Sequence, residues 1–229
     1  MVTHTEITIC NMALEHIGIG VKLASTDGTL ANATTTTGEE YTECNFWYPK
    51  VRDLVLAAAP WGFSMKYATL SEADDGTSEV WTDHWDRAYT YPSDCLRFWR
   101  FIDDEGVGLS ARYDSEGWLM LAPGGSYPYE VRNHDSSVVI MSNTPTDCAQ
   151  VEYIYANTTV SNYPQSFSSL LSWRLAERIA APLSVSAERV TRAQTEGIRM
   201  WQHALGQMMN EQQRRRPRAG PSISARGGD

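Results

Sequence analysis

"VRDLVLAAAPWGFSMKYATL", residues 51–70, changes its period halfway along. Up to Ala59 the apolar residues keep the three–four spacing of a helix. Val51, Val55 and Ala58 extend a face begun by Tyr41, Cys44 and Tyr48. Pro60 closes that helix, because a proline pushes the residue before it out of helical geometry. From residue 61 to about 158 short alternating runs broken by Gly, Pro, Asp and Asn replace the helical pattern. "WDRAYTYP", "CLRFWRFID", "SARYD", "GWLMLAP", "YEVRN", "SVVIMSN" and "QVEYIYAN" read as strands, and "DSEG" and "NHDS" as hairpin turns. The chain therefore turns from helices to strands at Pro60–Trp61.

Helices lie on both sides of this β stretch. Residues 5–18 place Ile7, Cys10, Leu14 and Ile17 on one face, with Thr5 as cap and Gly18 as stop. A polar loop follows, and then a helix from about Thr37 to Ala59. Pro49 is expected to kink or split that helix, since it lacks the amide the ladder needs. After "NYP", the residues Phe167, Leu170, Leu171, Leu175 and Ile179 form one stripe, which Pro182 ends. A long final helix carries Val190, Ile198, Trp201, Leu205 and Met208 on its apolar side. The expectation is an α+β fold. Residues 1–60 and 160–213 form a helical bundle, 61–159 an inserted antiparallel β domain, and 214–229 a basic tail, disordered when free.

Bulk composition narrows the function. Of 229 residues, 42% are hydrophobic and 21% charged, which suits a packed core. The net charge of −9 disfavours a general nucleic-acid binder, which needs a basic surface to neutralise phosphates. No apolar run is long enough to span a bilayer, and the first residues do not read as a signal peptide. Cys10, Cys44, Cys95 and Cys148 form no CxxC pair, so they read as reduced thiols in a cytosol. The five histidines show no ligand spacing; His84, flanked by acids in "TDHWD", has only a weak metal reading. There is no GxSxG, P-loop or GxGxxG. No enzyme and no cofactor is expected.

Aromatic density is the stronger signal. Trp81, Trp85, Trp99 and Trp118 fall in the β stretch. Exposed, they would stack sugars or bases; buried, they fill a small core or a subunit contact. In "LRFWRF", residues 96–101, alternation puts Leu96, Phe98 and Arg100 on one face and Arg97, Trp99 and Phe101 on the other. Apolar groups on both faces call for cover on both. A neighbouring subunit is expected to supply some of it, with Phe98 and Trp99 in that packing. Trp61 and Phe63 are expected to pack where the bundle hands over to the β domain.

Four segments, in order, resemble the head-to-tail adaptor family of tailed bacteriophages, the tail tubular protein A-like proteins of short-tailed phages. They are "EITICNMALEHIGIG", "YPKVRDLVLAAAPWGFSMKYATL", "AYTYPSDCLRFWRF" and "LLSWRLAERIAAPLSVSAERV". The first carries an Asn-x-Ala-Leu core and ends in Ile-Gly. The second has Ser64 where the family usually has Ala. The resemblance spans about residues 5–208 and is poor over 101–150 and in the tail. It implies a dodecameric ring between the portal protein and the tail nozzle protein, with tail fibres as further neighbours and double-stranded DNA passing through. It places the protein in the virion, at the head–tail junction of the tail, after synthesis in the host bacterial cytoplasm, without a membrane. It carries no catalytic residues. The alternative is a carbohydrate-binding or glycan-degrading tail component that uses the β-domain tryptophans.

The tail stands apart from the acidic chain. Arg214, Arg215, Arg216 and Arg218 follow the last helix directly. Helix capping explains part of this. Ordering along acidic groups of the portal is the functional expectation, with a DNA contact as its competitor.

Overall fold

The computed structural model describes residues 4–34, 38–73, 85–102, 110–113, 119–122, 127–134, 137–144 and 149–211, with 110–113 and 119–122 described by their backbone. Helices and antiparallel sheets make up the fold, in the order α1 (Glu6–His16), α2 (Glu39–Ala58), β1 (Met65–Thr69), β2 (Arg87–Thr90), β3 (Cys95–Phe101), β4 (Ser110–Tyr113), β5 (Leu119–Ala122), β6 (Tyr129–His134), β7 (Ser137–Ser142), β8 (Gln150–Tyr155), α3 (Gln165–Ile179) and α4 (Ala187–Glu211). The chain forms two compact units. One takes in the residues up to Met65 and again from Ile154; the other runs from Lys66 to Tyr153.

In the helical unit, α3 packs against α1, α2 and α4. Its stripe Phe167, Leu170, Leu171, Leu175 and Ile179 is buried, as are Ile7 and Leu14 of α1 and Val51 and Val55 of α2. Thr5 caps α1, its Oγ1 accepting from the Thr8 amide at 3.2 Å. Asn11 holds the loop after α1 as a strand partner would. Its Nδ2 donates to the Leu23 carbonyl at 2.9 Å, and its Oδ1 accepts from the Leu23 amide at 2.8 Å. Gly18 adopts φ 74°, a left-handed conformation that suits glycine. A side chain there would also meet the Arg189 guanidinium, which reaches back from α4 to donate to the Ile17 carbonyl at 3.0 Å.

Two expectations about helices need correction. Pro49 does not split α2, which runs unbroken from Glu39 to Ala58 with the proline inside it. The buried strip of α4 is not the large apolar side chains but Ala193, Gly197 and Ala204. Small residues let α4 approach α3 closely, so Val190, Trp201, Leu205 and Met208 are only half-buried and Ile198 is 54% exposed. Ala58 is likewise exposed.

The second unit holds a sheet of order β1-β8-β3, an antiparallel sheet of order β2-β7-β6 and the antiparallel pair β4-β5. Strand β1, "MKYAT", had no signal in the sequence, since its residues do not alternate in polarity; its burial does not alternate either. The other seven strands among the described residues fall in the segments named from sequence, with β6 running one residue further, to His134.

Candidate functional site

Trp61 and Phe63 lie in a turn between α2 and β1. The Ser64 amide donates to the Trp61 carbonyl at 2.8 Å, and the Ser64 hydroxyl to the same oxygen at 3.2 Å. Trp61 is buried, and its Nε1 donates to the Val55 carbonyl at 2.9 Å, one of the acceptors α2 leaves unpaired at its end. Its ring meets those of Phe167 at 5.2 Å and Trp201 at 5.8 Å, edge to face. Phe63 packs on Phe167 at 4.8 Å and Tyr163 at 5.5 Å. These five rings are one cluster inside the helical unit. Asn157, also buried, closes it by donating from Nδ2 to the Phe63 carbonyl at 2.9 Å and accepting at Oδ1 from the Thr159 amide at 3.0 Å.

Beside this cluster a groove runs among α2, α3 and α4. Val51, Val55, Leu54 and Ala58 of α2 line it with Trp201 of α4, and Arg174, Glu177 and Arg178 of α3 supply its polar rim. Arg174 pairs with Glu177 at 3.0 Å. Leu54 is 62% exposed and Phe46, two turns earlier, 53%. Sequence reasoning missed both. The signal was available: neither residue falls on the stripe Tyr41, Cys44, Tyr48, Val51 and Val55, so a helix buried on that stripe must expose them.

In the second unit, β3 resolves the question raised by "LRFWRF". Phe98 and Phe101 are both buried, although strict alternation puts them on opposite faces, and their rings meet at 5.3 Å. Their cover comes from this same chain. Tyr89 of β2 lies 5.8 Å from Phe101, and Tyr129 of β6 lies 4.5 Å from Phe98. Trp99 is half-buried, with the Arg97 guanidinium 5.3 Å from its ring. Arg100 pairs with Glu152 of β8 at 2.7 Å. Asp94, in the turn before β3, accepts from Lys66 of β1 at 2.6 Å and from Tyr153 of β8 at 2.9 Å. Lys66 chiefly, and Tyr153 with it, hold the Asp94 carboxyl below the usual range against its partial burial. The Pro-x-Asp-Cys turn thus fastens β3 to the two other strands of its sheet.

The structure brings Trp61 together with Phe63, and Phe98 together with Phe101; Trp99 stands beside Arg97. Trp85 donates from Nε1 to Glu130 at 3.1 Å. Trp81, His84, Trp118, Arg214, Arg215, Arg216 and Arg218 lie outside the described residues. Among the described residues no group of three or more His, Cys, Asp or Glu is placed to hold a metal ion, and no helix is long and apolar enough to cross a membrane. No family model matches the chain, and no curated protein matches it.

Proposed function

We propose that this chain is a structural head-to-tail adaptor of a tailed bacteriophage. In this role it is one subunit of a dodecameric ring that joins portal to tail nozzle and encloses part of the DNA ejection channel. The helical unit is then a bundle, the unit between Met65 and Ile154 a domain inserted into it, and the protein a virion component of the tail without catalytic activity.

One observation carries the reading. Several residues of the family-like segments have a specific task in the fold. Asn11 clamps a loop, and Gly18 makes way for Arg189. Trp61 seals the end of α2, and Asp94 ties three strands. Leu175, Ala176 and Ile179 of α3 and its C-cap Ala180 are fully buried. The motif residues Asn11, Gly18, Trp61 and Asp94 thus sit at packing and capping positions, which supports the resemblance.

Charge and surface add support. Residues 66–153 carry sixteen acids against six bases. An acidic wall repels phosphates and lets DNA slide, where a basic one would hold it. Phe46 and Leu54 on α2 and Ile198 and Met209 on α4 are exposed large apolar side chains, suited to contact with another subunit. Size analysis of the protein alone and mixed with a portal tests the proposal. A ring, or a stable complex with the portal formed without any sugar, is expected. A protein that stays monomeric in both conditions overturns it.

A further inference from the structure

The groove among α2, α3 and α4 has an apolar floor and an unbalanced rim. Val51, Leu54 and Trp201 supply the floor, and Leu54 keeps 62% of its surface exposed. On the rim the Arg174 charge is met by Glu177 at 3.0 Å. Arg178, one turn further along α3, is exposed and in no ion pair among the described residues. Lys50, one turn before Leu54 on α2, is also exposed, with its Nζ 2.9 Å from the centre of the Phe46 ring. The groove is thus an apolar slot beside two cations that pair with no carboxylate among the described residues. Its volume of about 290 Å³ lies at the lower end of ligand pockets, which run from about 300 to 1,000 Å³, so it suits one or two side chains of a peptide better than a whole ligand.

We propose that this groove docks the segment "EVWTD", residues 79–83, of a second copy of the chain. Val80 and Trp81 fill the slot, and Glu79 and Asp83 answer Arg178 and Lys50. Residues 74–84 lie outside the described residues. By sequence they hold four acids and no lysine or arginine, and Val80 and Trp81 are their only large apolar residues.

Charge complementarity selects this occupant. The tail, residues 212–229, holds five arginines and one aspartate, and the cations beside the groove repel it. A tryptophan between acids has the opposite character. Its indole supplies the buried anchor of a contact, and the carboxylates on either side set the register. The choice of a second copy rests on the adaptor reading. In a ring each subunit offers one surface to one neighbour and a different surface to the other, and groove and segment are two such unlike surfaces.

Size analysis of the full chain at rising concentration tests this, with single variants beside the parent. Leu54→Asp and Arg178→Glu alter the groove at exposed positions and should melt like the parent; Trp81→Ala alters the segment. The parent is expected to assemble, and each variant to associate about tenfold more weakly or worse. Leu54→Asp and Trp81→Ala chains each keep one half of the contact, so they should form one-to-one pairs when mixed. A fluorescent peptide of residues 74–84 should bind the Trp81→Ala chain saturably, and the same peptide with Trp81→Ala should not. A Leu54→Asp or Arg178→Glu chain that assembles like the parent overturns the docking proposal and leaves the adaptor reading in place. So does a peptide that binds equally well once Leu54→Asp is added to the Trp81→Ala chain. A parent that stays monomeric alone and with a portal overturns the adaptor reading and, since no second copy docks, this proposal with it.

Discussion

His16 shows at a single residue how packing sets a charge state. Its ring stacks on Trp173 at 3.6 Å, within 5° of parallel, and its Nε2 lies 3.1 Å from the Ser172 hydroxyl. Burial lowers its pKa to about 4, and Arg192 adds to the effect; Glu15 and Glu196 oppose it. The folded protein therefore binds fewer protons at this site than the unfolded chain between about pH 6.5 and 4. Its contribution to stability is complete above that window and is lost as pH falls through it. Urea unfolding measured from pH 7 to pH 4 should show this loss, and His16→Gln should flatten that part of the curve. Trp61 offers a second test. Trp61→Phe keeps a ring but leaves the Val55 carbonyl without its donor, and should lose about 1–3 kcal/mol. Trp61→Ala also empties the middle of the five-ring cluster and should lose about 3–5 kcal/mol. An unfolding free energy of Trp61→Ala close to that of the parent would remove Trp61 from the core.

Between elements, the α3–α4 contact depends on what α4 lacks. Gly197 faces Arg174, and a methyl group there would lie 3.7 Å from the Arg174 Cδ, an ordinary contact. Gly197→Ala should therefore stabilise by about 0.5–1 kcal/mol, the helix propensity difference. Gly197→Leu asks for room the contact does not have and should destabilise by about 1–3 kcal/mol. Thermal melts of the two variants should move in opposite directions. The same contact explains a misreading. Periodicity picks out the largest apolar residues of α4, but the helix seats itself on its smallest ones, because close approach of two backbones gains more dispersion contact than a ridge of long side chains held apart. Ile198 and Met209 are left facing solvent as a consequence.

For the whole molecule, the basic tail is the feature to remove. Residues 212–229 hold five arginines and one aspartate, in a chain of net charge −9. Deleting residues 214–229 should leave helical content and melting temperature unchanged, because α4 ends at Glu211 and the buried residues named in the helical unit reach no further than Ala204. On the proposed adaptor role, the truncated protein should bind a portal more weakly, and the salt dependence of that binding should become shallower if guanidinium–carboxylate pairs form there. Undiminished affinity for the portal would exclude the tail as the anchor; a loss confined to DNA binding would favour the phosphate contact instead.

Among the described residues, the sequence by itself determined the local structure: four helices, seven of the eight strands, and the break at Pro60–Trp61. Those features rest on period, capping and turn chemistry, which act between near neighbours. The stripe on α3 was legible for the same reason, since a helix buried on several sides must show a wide apolar face. Tertiary structure decided what depends on partners distant in the chain. It kept α2 whole across Pro49 and made "MKYAT" a strand by giving it β8 to pair with. It set α4 on Ala193, Gly197 and Ala204, and covered Phe98 and Phe101 with Tyr89 and Tyr129 of the same chain. Each of these is a choice between helices or sheets competing for the same apolar surface, and the outcome is fixed by shape complementarity in three dimensions, which no window of neighbouring residues contains.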